Sequence, residues 1–320
     1  MKPALPIALS ALLVAAPAAA AQERSSVWSV KSDSNTIYLA GGVPFLREAD
    51  QPLPAQYRQA FDASQKVVFE VDPEEAKDEA GAERMIKMGM FLDGGSIEDV
   101  VSKETYRALG DFLSSSGAQR GGMDRFRPWF AAVMLSMTEV IKLGGRPDLG
   151  VADTIEGWAV EAGRPVSGLE KMKVELDLLK GLGKQAHEHM LKTTLEDIAD
   201  AEAMEQELDE FLEAWRSGDV ARLEEMDSED ETEMDRKINK KLIRGREARW
   251  MGRLEKILAG DEPTVFVIGL GHLVGEGNLR ERLEAKGYEV EQLKGKKQKD
   301  GGDKKDKKEK KPALIPVISR

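Results

Sequence analysis

Thr264-Val265-Phe266-Val267-Ile268-Gly269-Leu270-Gly271-His272 is the stretch on which the fold class turns. Its first five residues form an unbroken β-branched and aromatic run, the pattern of a strand buried on both faces. Gly269 and Gly271 allow a sharp turn directly afterwards. His272 is thereby delivered beyond the strand's carboxyl end, where open α/β sheets present functional side chains.

Two further runs share that design. Val67-Val68-Phe69-Glu70-Val71-Asp72 is stopped by Pro73, and Arg164-Pro165-Val166-Ser167-Gly168-Leu169-Glu170 again ends in a carboxylate. Near the start, Val27, Trp28 and Val30, then Ile37, Tyr38 and Leu39, flank a polar break at residues 32–35, which predicts a two-strand hairpin whose second strand ends at Gly41-Gly42. A helix over about 278–286 leads to a last strand over 288–293.

Helical periodicity fills the rest. Ser96 with Asp99 resembles a capping box that opens a helix through Val101, Tyr106, Leu109 and Phe112. Pro128 suits the first turn of another helix, and Asp153 with Glu156 a cap for a third. Residues 172–258 are almost wholly helical in pattern. The expected fold is α/β: a mixed β-sheet core flanked by helices, with a large helical insertion.

Composition bounds the function. The chain has 320 residues, no cysteine and a net charge of −11. Disulfide staples and thiolate-held metals are therefore excluded, and the core must hold the fold unaided. Residues 294–311 carry ten lysines against four acids. With Arg320 counted beside them, the remaining chain stands near −18. A body that acidic repels phosphate backbones, so nucleic acid is not an expected partner.

One lysine, an apolar run and small residues at Ala19 and Ala21 make residues 1–21 read as a signal peptide. The apolar run is short for a membrane anchor. The expectation is export, to a periplasm in a Gram-negative cell and outside the cell otherwise. The body then covers 22–293, and 294–320 is a low-complexity tail expected to be disordered, with possible envelope polymer or lipid headgroup contact.

Chemistry is narrowed by scarcity, because there are only three histidines. His187 and His189 are two apart on a helix, point in different directions and read as surface residues. His272 stands apart by its position after a buried strand. If the strands ending in Glu70 and Glu170 lie beside it, two carboxylates and an imidazole converge, a donor set suited to Mn²⁺ or Zn²⁺. The alternative is that both acids pair with arginines such as Arg127 or Arg246.

A family resemblance adds to this. The ordered set Ile37-Tyr38-Leu39-Ala40-Gly41-Gly42-Val43, Val68-Phe69-Glu70-Val71-Asp72, Arg127-Pro128-Trp129, Gly150-Val151-Ala152-Asp153, Gly168-Leu169-Glu170, Ala214-Trp215-Arg216-Ser217-Gly218-Asp219 and Val267-Ile268-Gly269-Leu270-Gly271-His272-Leu273-Val274 resembles the TraB/GumN family. That family includes the Tiki proteins that cleave Wnt, and its fold is described as similar to erythromycin esterase and ChaN. The resemblance implies two Gly-x-x-His motifs with a glutamate, an arginine and an asparagine, serving Mn²⁺- or Co²⁺-dependent peptidases, with Zn²⁺ a lesser candidate.

Carried over residue by residue, Gly269 to His272 match the second motif and Glu70 the glutamate. The first motif departs, since Gly41-Gly42-Val43-Pro44 has proline in the histidine's place, and proline has no side-chain donor or acceptor. Arg246-Glu247 keeps the arginine and replaces the asparagine. Glu70, Arg246 and His272 are the implied catalytic residues, and Glu70, Glu247 and His272 the implied metal set, with Glu247 compensating for the lost histidine. Two readings follow: a degenerate site that binds a peptide or small-molecule ligand, placed first, and an active metal-dependent hydrolase. An envelope interaction protein acting through the basic tail is a third.

Overall fold

Six strands form one sheet in the order β4-β3-β5-β2-β1-β6: β1 Arg24–Lys31, β2 Thr36–Gly42, β3 Lys66–Val71, β4 Val166–Glu170, β5 Thr264–Gly269 and β6 Glu289–Lys294. The computed structural model describes residues 24–295 except 78, 118–119 and 229–230. The expected signal peptide and almost all of the expected tail lie outside the described residues. Among these, no helix is long and apolar enough to cross a membrane.

The four strands from β4 to β2 run parallel, while β1 is antiparallel to both β2 and β6. The fold is thus the expected mixed-sheet α/β arrangement. Parallel strands are covered on both faces, which is why β5 shows no alternation: Val265, Phe266 and Ile268 are wholly buried and Val267 nearly so. The register pairs Gly42 with Gly269 and Val71 with Glu170. Consequently the carboxyl ends of β2, β3, β4 and β5 meet along one edge of the sheet.

Helices Ala55–Asp62, Val151–Ala162 and Gly245–Leu258 contribute apolar faces to the sheet core. A hydrogen-bonded node fixes the β2 end. The Tyr57 hydroxyl donates to Gly41 O at 2.7 Å, while Trp215 Nε1 reaches Tyr57 Oη at 2.7 Å and Gly41 O at 3.1 Å. Burial pushes the Tyr57 phenol far above its ordinary pKa, so it serves as a neutral donor.

Helices Lys103–Ser115 and Pro128–Lys142, from the β3–β4 connection, share a second core with Lys184–Asp197 through Leu109, Leu135 and Leu191. Two expected helix starts are corrected. Ser96 caps only a single turn, Ile97–Asp99, and the long helix starts at Lys103 under a separate cap from Ser102. Asp153 lies inside the first turn of its helix, whose N-cap is Gly150. In each case a polar residue near a helix start marked the region, and the first hydrogen-bonded turn chose the boundary.

Candidate functional site

Glu70, the penultimate residue of β3, and Glu170, the last of β4, project at the shared edge and converge on one cation. Arg246 donates from Nη2 to Glu70 Oε2 at 2.7 Å and from Nε to Glu170 Oε1 at 2.6 Å. Its side chain is 6% exposed. Burial opposes that charge, but Glu70, Glu175 and Glu170 together hold the guanidinium above its ordinary pKa. Glu170 is further fixed by Trp250 Nε1 at 3.1 Å.

Arg246 and Glu247 sit in the first turn of Gly245–Leu258, directly after a π-helical turn, Lys240–Arg244. That wider turn re-aims successive side chains. One helical turn later Trp250 lies under the Arg246 guanidinium, 4.9 Å from carbon to ring centre, and packs 4.6 Å from the His272 ring.

His272 ends the one-turn helix Leu270–His272 that continues β5, and it is 2% exposed. Its Nδ1 faces Glu247 Oε1 at 3.3 Å. Its Nε2 faces Arg246 Nη1 at 3.5 Å and Glu70 Oε2 at 3.8 Å. Gly269 permits this assembly by close approach: its N–H donates to Glu70 Oε1, and a Cβ there would stand 2.9 Å from that oxygen.

Glu247 is wholly buried, with Arg244 Nη1 at 2.6 Å and Arg282 Nε at 3.1 Å. It stands at Nδ1 of His272, while Nε2 faces Arg246 and Glu70, so the two ring nitrogens meet different partners.

The structure therefore brings Glu70, Arg246, Glu247 and His272 together, and of the two arginines considered for Glu70 and Glu170 it selects Arg246. Arg127 lies over the Phe91 ring, 4.7 Å from its centre. His187 and His189 are half-buried rather than free on the surface; the first bonds Leu179 O and the second Asp235, each at 2.7 Å.

Glu175, Arg244 and Arg282 carry no signal of their own in the sequence. Glu175 belongs to the helix Met172–Lys180 that follows β4 after one residue, so the helix start returns it to the edge where Glu170 ends. It stands 3.7 Å from Arg246. Burial raises its pKa; Arg246 opposes that rise, and Glu70 and Glu170 add to it.

A model of the TraB/PrgY/gumN family matches residues 26–292. The chain belongs to this family. It is 24% identical over 320 aligned residues to Metalloprotease TIKI1 of Homo sapiens, across 83% of this chain and 61% of that protein. The chain thus spans less than two thirds of that relative's length. No solved structure matches the chain.

A divalent ion of the kind associated with TraB/GumN proteins does not fit this donor set. Glu247 and Glu70 face opposite nitrogens of the His272 ring, so the three implied ligands do not surround one point. Among the described residues, no three His, Cys, Asp or Glu side chains are grouped to hold a metal. Pro44 offers no donor, and the position between Glu70 and Glu170 is taken by Arg246. A cation is indeed present at the carboxylates, but it is the protein's own.

Proposed function

We propose that this TraB/GumN-family chain is an exported binding protein, in which the residues expected to hold a hydrolytic metal ion instead form an arginine-centred polar cluster. The observation that carries the reading is the guanidinium of Arg246 held by both strand-end carboxylates. Each carboxylate is hydrogen-bonded elsewhere as well, Glu70 by Gly269 and Glu170 by Trp250. Satisfied in this way, they gain little from exchanging the arginine for an ion that must shed its water. The ligand binds at the carboxyl edge of the sheet, the usual place in open α/β folds.

The test is hydrolysis of a mixed peptide panel by the purified protein with added Mn²⁺ or Co²⁺, beside His272→Ala. The expected result is no turnover above that of the variant. Metal-dependent turnover abolished by His272→Ala would overturn the proposal.

A second reading is favoured by the oriented imidazole and by the name of the human relative. In it the chain is a hydrolase: His272 takes a proton at Nε2 from a water that attacks the substrate carbonyl, Arg246 stabilises the developing oxyanion, and the proton passes to the leaving amine or alcohol as its bond to the carbonyl carbon breaks. That reading requires Glu70→Ala and His272→Ala each to abolish turnover while leaving the fold intact.

A further inference from the structure

Gly269, which touches Glu70 and His272, also lines a cavity of about 450 Å³ that neither of those side chains enters. Pro44, Phe211, Leu223, Met226, Leu270 and Val274 line it. Leu223, Leu270 and Val274 are core residues, so its walls are fixed, whereas Pro44 is exposed at the lip. Asp227 is the only charged residue in the lining, and the remaining wall is the backbone of Gly42, Gly269 and Gly271. The residue that replaces the family's first histidine is thus part of an apolar wall.

Asp227 also belongs to a second cavity, of about 440 Å³, where it is joined by Glu224, Glu231, Glu276 and Glu281 against Arg236, Lys240 and Arg244. Acids outnumber bases there. An anionic headgroup entering the apolar cavity meets that excess and is repelled, while a cationic neighbour is attracted. At about 450 Å³ the apolar cavity lies within the range of ligand sites and has room for a large apolar side chain together with the backbone beside it. Nothing stands within 4 Å of where a Cβ on Gly271 would be, so a peptide backbone can cross there.

We infer that this cavity receives a large apolar side chain of a peptide, and that the neighbouring acidic cavity selects a basic residue next to it. This rests on the binding reading for its place in the protein's function, although not for its geometry.

The test uses the full protein labelled with ¹³C at its methionine methyl groups, with the Met226 signal assigned through Met226→Leu. Three capped peptides are added: acetyl-Ala-Phe-Lys-Ala-amide, acetyl-Ala-Gly-Lys-Ala-amide and acetyl-Ala-Phe-Glu-Ala-amide. The Phe-Lys peptide should shift Met226 saturably, the Gly-Lys peptide should leave it in place, and the Phe-Glu peptide should bind at least about tenfold more weakly. Pro44→Lys, at an exposed position, should weaken Phe-Lys binding by a similar factor with an unchanged circular dichroism spectrum.

No Met226 shift with the Phe-Lys peptide, or equal shifts with Phe-Lys and Gly-Lys, overturns the proposal. So does a shift with dodecanoate where the Phe-Lys peptide gives none, which would assign the cavity to an acyl chain. Cleavage of a bound peptide, read by chromatography of the same samples, would leave the cavity assignment standing and overturn the non-catalytic reading instead.

Discussion

Glu247 Oε1 lies 3.3 Å from Nδ1 of His272, and both side chains are buried. The same carboxylate pairs with Arg244 and Arg282, which are 17% and 35% exposed. Glu247 is thus the anionic centre of one half of the site, as Arg246 is the cationic centre of the other.

Removing that anion should be costly. Glu247→Ala takes the shared carboxylate from Arg244, Arg282 and the imidazole, but Arg244 keeps Gly271 O and Val274 O and lines the acidic cavity, so the loss should be about 1–3 kcal/mol, below that of a fully buried pair. Denaturant unfolding measures the loss. Nitrogen-15 spectra of the three histidines should also show His272 protonated at Nδ1 in the parent and no longer so fixed in the variant.

Arg246→Lys tests the other centre. A lysine ammonium lacks the planar fork that reaches Glu70 and Glu170 at once, so one carboxylate loses its partner. The expected destabilisation is about 1–3 kcal/mol, with Arg246→Ala worse because both carboxylates then lose their cation and keep only Gly269 and Trp250 as partners. Equal stability of Arg246→Lys and the parent would show that the paired geometry does not matter.

Tyr57→Phe should destabilise the protein by about 1 kcal/mol. Gly41 O and Trp215 Nε1 both lose the hydroxyl but keep each other at 3.1 Å, which limits the effect. Thermal unfolding checks it, and a loss above about 3 kcal/mol would mean that the node does more than hold the β2 end.

The raised pKa of Glu175 carries a pH signature. A carboxyl whose pKa is higher in the folded protein favours the fold while protonated in both states. That contribution is lost as pH rises from the ordinary carboxylate range through the raised value. Glu175→Gln should therefore be more stable than the parent at neutral pH and equal to it in acid. The side chain is 41% exposed, so the gain should stay below about 1 kcal/mol. Unfolding curves for the two proteins across that range supply the test.

The sheet was legible because its signals are local. β5 is a two-sided buried run, β3 and β4 carry acids at their ends, and the β1–β2 hairpin is two apolar-rich runs around a polar break. Those same strand ends put Glu70, Glu170 and His272 in one place, and the family pattern added Arg246 and Glu247. What periodicity did not reveal is direction around the imidazole. Whether Glu247 shares Nε2 with Glu70 or takes Nδ1 for itself depends on the π-helical turn before it, which leaves no mark in hydrophobic spacing. Glu175, Arg244 and Arg282 were hidden for a related reason, since they reach the site from helices whose placement is tertiary. The long helix start was misplaced because Ser96 and Ser102 both carry cap chemistry and only packing separates them.

The central claim is that Arg246, and no divalent ion, is the cation shared by Glu70 and Glu170. Calorimetric titration of the purified, chelator-treated protein with Mn²⁺, Co²⁺ and Zn²⁺, beside Glu70→Ala and His272→Ala, tests it most directly. The account predicts no stoichiometric binding of submicromolar strength by the parent, and no difference between parent and variants. Tight one-to-one binding lost in both variants would contradict it.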